Sequence, residues 1–318
     1  MGIWRRTKHE TMTNNNEQNQ QTRAVDFPGG RGQSRSRQTS LDPSFESSCR
    51  HPSTSSDRTA DMALSGKTAV VTGAVMGIGR AMTEVLLQNG AKVALLDVNE
   101  SEGKTLMEAL EKQYGQGRTL FCKADVQSEE QFKAAFEKTT ETFGGIDILC
   151  NNAGILNEGL WEKTVAINLM GVIRGTYLAF EHMNKLKGGR GGVIINTASM
   201  AGLGPLPSCP VYTATKHGVV GFTRAMAANS ALSGYGIRVN TLCPGFVQTE
   251  LFTEIPARLA QHSHLADATV QLVEKLGTIT VSEVAQHILE LVTDETKNGE
   301  ALLVTPAGKQ YITFPSVA

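Results

Sequence analysis

From residue 62 onward, apolar residues fall into two alternating kinds of segment. Short apolar, often β-branched runs at Thr68–Thr72, Lys92–Asp97, Thr119–Lys123, Ile146–Asn151, Val193–Ala198, Arg238–Leu242 and Ala301–Thr305 have the length and composition of buried strands. Between them, apolar positions recur every three or four residues over Gly77–Gly90, Ser101–Tyr114, Ser128–Phe143, Trp161–Leu186, Val211–Asn229 and Ser282–Thr293, which is the period of helices. The third helix opens Ser128-Glu-Glu-Gln131, a capping-box pattern. Strands alternating with helices imply crossover connections and a parallel sheet covered on both faces. The expected architecture is a single doubly wound α/β domain, with a seven-stranded parallel sheet in the order 3-2-1-4-5-6-7. Residues 250–280 interrupt the alternation after the sixth strand and read as a lid over the carboxyl ends of the strands.

Residues 1–61 do not share this pattern. They hold 11 apolar residues, about 18%, against about 45% in the 257 residues that follow. A segment this polar, rich in Asn, Gln, Ser, Arg and Thr, cannot offset its ordering entropy by burial and reads as a disordered extension. It lacks the apolar core of a secretory signal, and its nine Arg/Lys stand beside seven Asp/Glu, unlike an acid-poor transit peptide. The Arg/Ser-rich patch at 31–37 reads as a solvated tail, with RNA or phosphate contact as the alternative. A start at Met62 is a further reading of the same seam. Residues 62–318 are long enough for one complete α/β domain.

The formal charge of −1 argues against a nucleic-acid surface. Five widely spaced cysteines (49, 122, 150, 209 and 243) form no Cys-x-x-Cys pair, which suits a reducing, cytoplasmic compartment. No apolar run reaches the length of a membrane span. His262 and His264 lack a third ligand nearby, so no metal is expected.

The first strand runs into Thr72-Gly73-Ala-Val-Met-Gly77-Ile78-Gly79 and then a helix. Glycines at such a turn let the backbone approach a pyrophosphate, and the helix N-terminus offers it free N–H groups. Asp97 ends the second strand 18 residues past Gly79, placed to accept hydrogen bonds from ribose hydroxyls and to repel a 2′-phosphate. Met76 stands where a basic residue would favour NADP. Both features point to NAD.

Taken together, the glycine run, Asn151-Asn152-Ala153-Gly154, Ser199, Tyr212-x-x-x-Lys216 and Pro244-Gly245, in this order over residues 65–305, resemble the short-chain dehydrogenase/reductase family, which has a Rossmann fold. The segments Asn157-Glu158, Trp161–Thr164, Gly175–Leu178, Pro210–Tyr212, Gly221–Arg224 and Cys243–Val247 resemble the branch of that family that oxidises hydroxylated lipids such as prostaglandins with NAD. The resemblance implies oxidation of a secondary alcohol to a ketone. Tyr212 and Lys216 share one helix face. A nearby ammonium and the charged nicotinamide ring favour a phenolate that accepts the proton of the substrate hydroxyl. Ser199 is expected to hydrogen-bond the substrate oxygen, and Asn168 to hold a water that links Lys216 to solvent.

The family pattern also implies that Asp125 and Val126 edge the adenine and that Asn152 lines its ribose. Val247 and Thr249 would meet the carboxamide end, and Lys216 the nicotinamide ribose. Phe246 is either a substrate wall or a core aromatic. Cys209 takes the place of a substrate-contacting Gln three residues before Tyr212, and a thiol cannot replace an amide's donor and acceptor. The 250–280 region has no Tyr, so an aromatic substrate contact of the family is also missing. Steroid, retinoid or small-alcohol substrates therefore remain alternatives, as does a non-catalytic NAD-binding protein. The helices at 161–186 and 211–229 carry apolar residues on more than one side, which together with the resemblance implies a homodimer.

Overall fold

The computed structural model of the protein describes residues 62–315. The expected polar extension at 1–61 lies outside the described residues. In chain order, Thr68–Thr72 (β1), Gly77–Gln88 (α1), Lys92–Asp97 (β2), Glu100–Tyr114 (α2), Thr119–Lys123 (β3), Glu129–Phe143 (α3) and Ile148–Asn151 (β4) make the first half. Trp161–Val165 (α4), Val172–Met183 (α5), Gly192–Thr197 (β5), Pro210–Ser233 (α6), Ile237–Pro244 (β6), Glu250–Thr253 (α7), Ala266–Leu276 (α8), Val281–Thr293 (α9), Ala301–Thr305 (β7) and Gly308–Tyr311 (β8) complete it.

All five β1 residues are buried, because helices cover both faces of the sheet. The pleat sorts them. Ala69 and Val71 join Met82 and Leu86 of α1, Leu106 of α2 and Ile288 of α9 in one core. Val70 joins Phe132 and Phe136 of α3 and Leu178 and Met183 of α5 in the other. The strand order is β3-β2-β1-β4-β5-β6-β7-β8, so the expected order holds for the seven parallel strands. The sheet has one strand more than expected: β8 folds back antiparallel on β7, pairing Thr305 with Gly308 through Leu302 with Tyr311. Its polar Gly-Lys-Gln-Tyr sequence hid it, and Tyr311 Oη donates to Glu290 Oε1 (2.8 Å) to fasten it to α9.

Ser128 does cap α3, accepting from Gln131 N. Gln131, however, turns its side-chain oxygen to Asp125 N (3.1 Å) instead of back to Ser128, and the reciprocal capping box is found at Thr280 and Glu283 of α9. The helix expected over 161–186 is continuous from Trp161 to Met183, but widens into a π-helical stretch over Ala166–Gly171. Such widenings are rare and frequently occur at functional sites. Among the described residues no helix is long and apolar enough to cross a membrane.

The order reverses between β1 and β4, whose carboxyl ends diverge into a crevice. The 250–280 segment covers it with α7, two 3₁₀ turns (Ile255–Arg258 and Ala260–Leu265) and α8. Ile255 and Leu259 pack on Leu156, Leu206 and Phe246.

Candidate active site

The crevice holds a cavity of about 570 Å³. One end is built from the strand-to-helix turn. Gly73 and Gly77 take positive φ (+61° and +51°), and a Cβ on Gly79 would stand 2.0 Å from Gly73 O, so only glycine lets the turn close this tightly. Asn152 holds the turn, its Nδ2 donating to Thr72 O (3.2 Å) and Gly73 O (3.3 Å). At the start of α1, Met76 makes no capping hydrogen bond and no acid stands in the first turn. Gly77 and Ile78 line the cavity at the positive end of the helix, which fits a dinucleotide pyrophosphate.

Asp97 is nearly buried at the tip of β2. Its carboxylate accepts from Val75 N (3.3 Å) and Asn99 N (3.0 Å), which fix its position beside the turn. Asp125 and Val126 line the same end, Asp125 held by Gln127 N (2.9 Å). Lys216 is the sole basic side chain lining the cavity among the described residues, so nothing there complements a 2′-phosphate. Val247 and Thr249 line the opposite wall; Thr249 caps α7, and its methyl group would stand 3.4 Å from a Cβ on Gly77.

At the far end Ser199, Tyr212 and Lys216 converge from β5 and α6. Lys216 Nζ lies 5.5 Å from the Tyr212 ring centroid and donates to Thr197 O (2.8 Å). Asn168 is fully buried in the π-helical stretch. Its Oδ1 accepts from Ile155 N (2.8 Å), and its Nδ2 donates to Ile155 O (2.8 Å) and Thr215 Oγ1 (3.3 Å). Gly154 lies beside both: a Cβ there would stand 3.3 Å from Asn168 Oδ1 and 3.6 Å from Lys216 Nζ.

Burial dominates the electrostatics of Tyr212 and Lys216. Burial pushes the Tyr212 phenol up to about 12, although a hydrogen bond with Ser199 pulls the other way. Burial also lowers Lys216 to about 8. Desolvation is the largest influence on Tyr212, and a charged nicotinamide ring beside it would act in the opposite direction.

Phe246 is nearly buried and also lines the cavity, stacking at a tilt on Phe252 (5.9 Å between centroids), so it is both wall and core. With Leu156, Met200, Leu206, Leu251 and Ile255 it makes the lid end apolar. Cys209, at the position where the family pattern puts a substrate contact, does not line the cavity. It is fully buried, its thiol facing Ser208 Oγ (3.6 Å) beneath the lid, where Thr269 Oγ1 donates to the same Ser208 hydroxyl (2.7 Å). Glu158, part of the Asn157-Glu158 segment but given no role from the sequence, is buried, and its carboxylate accepts from Val211 N (3.1 Å) and Tyr212 N (3.0 Å).

Comparison with known proteins matches residues 67–260 to the family described as short chain dehydrogenase. The chain is 42% identical to 15-hydroxyprostaglandin dehydrogenase [NAD(+)] of Rattus norvegicus over 261 residues, covering 80% of this chain and 98% of that protein. It is 44% identical to the Homo sapiens enzyme of the same name over 246 residues, 77% of this chain and 92% of that one. A 3beta-hydroxysteroid dehydrogenase 2 of Eggerthella lenta is 33% identical over 259 residues, 78% of this chain and 96% of that one. Among solved structures, levodione reductase superimposes with a TM-score of 0.66 at 29% identity, covering 76% of this chain and 97% of its own.

Proposed function

Because the chain belongs to the short chain dehydrogenase family, we propose that it oxidises a secondary alcohol on a hydroxylated lipid, such as a 15-hydroxyprostaglandin, to a ketone with NAD as hydride acceptor. The observation that carries this reading is that Ser199, Tyr212 and Lys216 line the same cavity as the glycine turn with Asp97 and the apolar lid residues Leu251, Phe252 and Ile255. Gly73, Gly77, Ile78 and Gly79 would hold the pyrophosphate, Asp97 the adenosine ribose, Asp125, Val126 and Asn152 the adenosine, and Val247, Thr249 and Lys216 the nicotinamide end. When bound, NAD supplies a hydride-accepting ring whose positive charge adds to that of Lys216 in favouring phenolate.

The chain's own residues handle the proton. Ser199 orients the substrate oxygen by hydrogen bond and stabilises the carbonyl as it forms. Tyr212 Oη takes the hydroxyl proton. Lys216, tied to Thr197 O, keeps a cationic group within reach of the phenol. Asn168 braces the 155 loop beside Lys216, where a water relay would run to solvent. The apolar lid end would receive the hydrocarbon part of the substrate.

A panel of secondary alcohols that includes prostaglandin E2, a hydroxysteroid and 2-decanol, supplied with NAD, tests this by NADH absorbance. Turnover of a hydroxy-lipid supports it; NAD binding without turnover of any alcohol refutes it. A rigid alcohol such as a steroid is the second reading, favoured by the 33% identity to a relative named 3beta-hydroxysteroid dehydrogenase 2.

We also infer a cytoplasmic homodimer. Among the described residues, Cys122, Cys150, Cys209 and Cys243 are all unpaired thiols, as suits a reducing compartment. Met170, Tyr177 and the edge-on pair Tyr177–Phe222 expose an apolar face across the π-helical stretch, α5 and α6. A monomeric sedimentation profile would remove the dimer.

A further inference from the structure

α6 carries both Tyr212 and Lys216, and its first turn is closed in an unusual way. The N-cap residue, Cys209, makes no side-chain cap, and Pro210 has no N–H. Thr213 N donates to Cys209 O (2.9 Å). The two donors that remain, Val211 N and Tyr212 N, go to the two carboxylate oxygens of Glu158, at 3.1 and 3.0 Å. Glu158 is only 1% exposed and has no cationic partner among the described residues. A buried carboxylate persists only where its charge is answered, and here the answer is two N–H groups at the positive end of a 24-residue helix.

The same residue is tied to the lid. Glu158 N donates to Arg258 O (2.9 Å) in the first 3₁₀ turn of the lid. Asn157 Oδ1 accepts from Gly159 N (3.0 Å) and Leu160 N (3.1 Å), and Thr164 Oγ1 donates to Asn157 O (2.8 Å), so the loop that carries Glu158 is held by its own polar groups. The neighbouring Leu156 packs on Ile255 and Leu259 of the lid.

We propose that Glu158 is a positioning residue for the dehydrogenase reaction: it grips the backbone N–H of Tyr212 itself and couples the seating of the lid to the placement of the phenol against Ser199. The inference rests on the dehydrogenase reading above. Loss of the grip shifts the proton acceptor relative to the substrate oxygen, and misplacement of about 1 Å costs on the order of 100-fold in rate. The cofactor turn at Gly73–Gly79 and Asp97 makes no hydrogen bond to Glu158 and keeps its geometry.

The test compares wild type, Glu158→Ala and Glu158→Gln. NADH-binding sites are titrated by fluorescence, and turnover with NAD and the best alcohol of the panel is expressed per binding site. Glu158→Ala is expected to lose about 10- to 100-fold in kcat per site, with KM for NAD within about twofold. Glu158→Gln fills the same volume but offers one acceptor and turns an NH₂ group on the second donor. It is expected to fall between the two, and serves as the readout if the alanine variant does not fold. A role confined to stability would lower Tm and the number of binding sites but leave kcat per site intact. Per-site kcat within twofold of wild type in the folded variants overturns the proposal. Absence of turnover by the wild type refutes the dehydrogenase reading and takes this inference with it.

Discussion

Lys216→Met is expected to stabilise the fold while abolishing turnover. Lys216 is only 4% exposed, and burial lowers it from its ordinary 10.5 to about 8. That displacement equals about 3 kcal/mol of unfavourable charge burial at neutral pH. Methionine fills nearly the same space without the charge, but gives up the hydrogen bond to Thr197 O, a loss of about 1 kcal/mol. The net gain is about 2 kcal/mol, or roughly 5 °C in Tm for a domain of this size. The sign follows from linkage. Between pH 8 and 10.5 the unfolded chain binds more protons at this site than the folded one, so the wild type gains stability as pH rises. The penalty is fully present below about pH 8 and gone above 10.5, and the advantage of the methionine variant must shrink over the same window. Thermal unfolding of both proteins without NAD, at pH 7 and pH 10.5, reads this directly. Bound cofactor would add its own mass-action stabilisation, hence its omission. A variant less stable than wild type at pH 7, or a difference that does not change with pH, would refute the burial argument.

Tyr212→Phe is expected to lower kcat by about 10² to 10⁴-fold, the usual worth of a positioned proton acceptor, with NAD affinity unchanged by calorimetry. Asp97→Ala, and more strongly Asp97→Ala with Val98→Arg, should raise the ratio of kcat/KM for NADP over NAD about tenfold or more, since a charged acceptor is lost and a cation gained at the ribose; a wild type that already prefers NADP would sink the role given to Asp97. Gly79→Ala places a methyl group 2.0 Å from Gly73 O and should cost about 3 kcal/mol in denaturant unfolding together with NAD binding; an alanine variant of wild-type stability would show that the turn is looser than described.

Most of the frame was legible along the chain because its signals are local. Five-residue apolar runs such as Thr68–Thr72 alternate with amphipathic helices, and that alternation implies a parallel sheet and its switch point. The spacing of Gly73, Gly77 and Gly79 before a helix, and of Tyr212 four residues before Lys216, is likewise local; Gly73, Gly77, Tyr212 and Lys216 line the cavity, and Gly79 packs behind Gly73. β8 escaped notice because a four-residue polar edge strand has no apolar period. The π-helical turn at Asn168 escaped because one helical run and another with an extra residue per turn read alike in hydropathy.

What the order of residues determined by itself was therefore the fold class, the order of the seven parallel strands and the residue types that share one end of the sheet: each depends on periodicity or spacing within a few turns. Only the tertiary structure decided which of those residues lose their water. It buried Tyr212 and Lys216 deeply enough for desolvation to be the largest influence on both, drew Cys209 behind the cavity wall, and brought Glu158 onto the backbone of Tyr212, 54 positions away. Desolvation depends on everything that packs around a group, and no pattern along the chain encodes that sum.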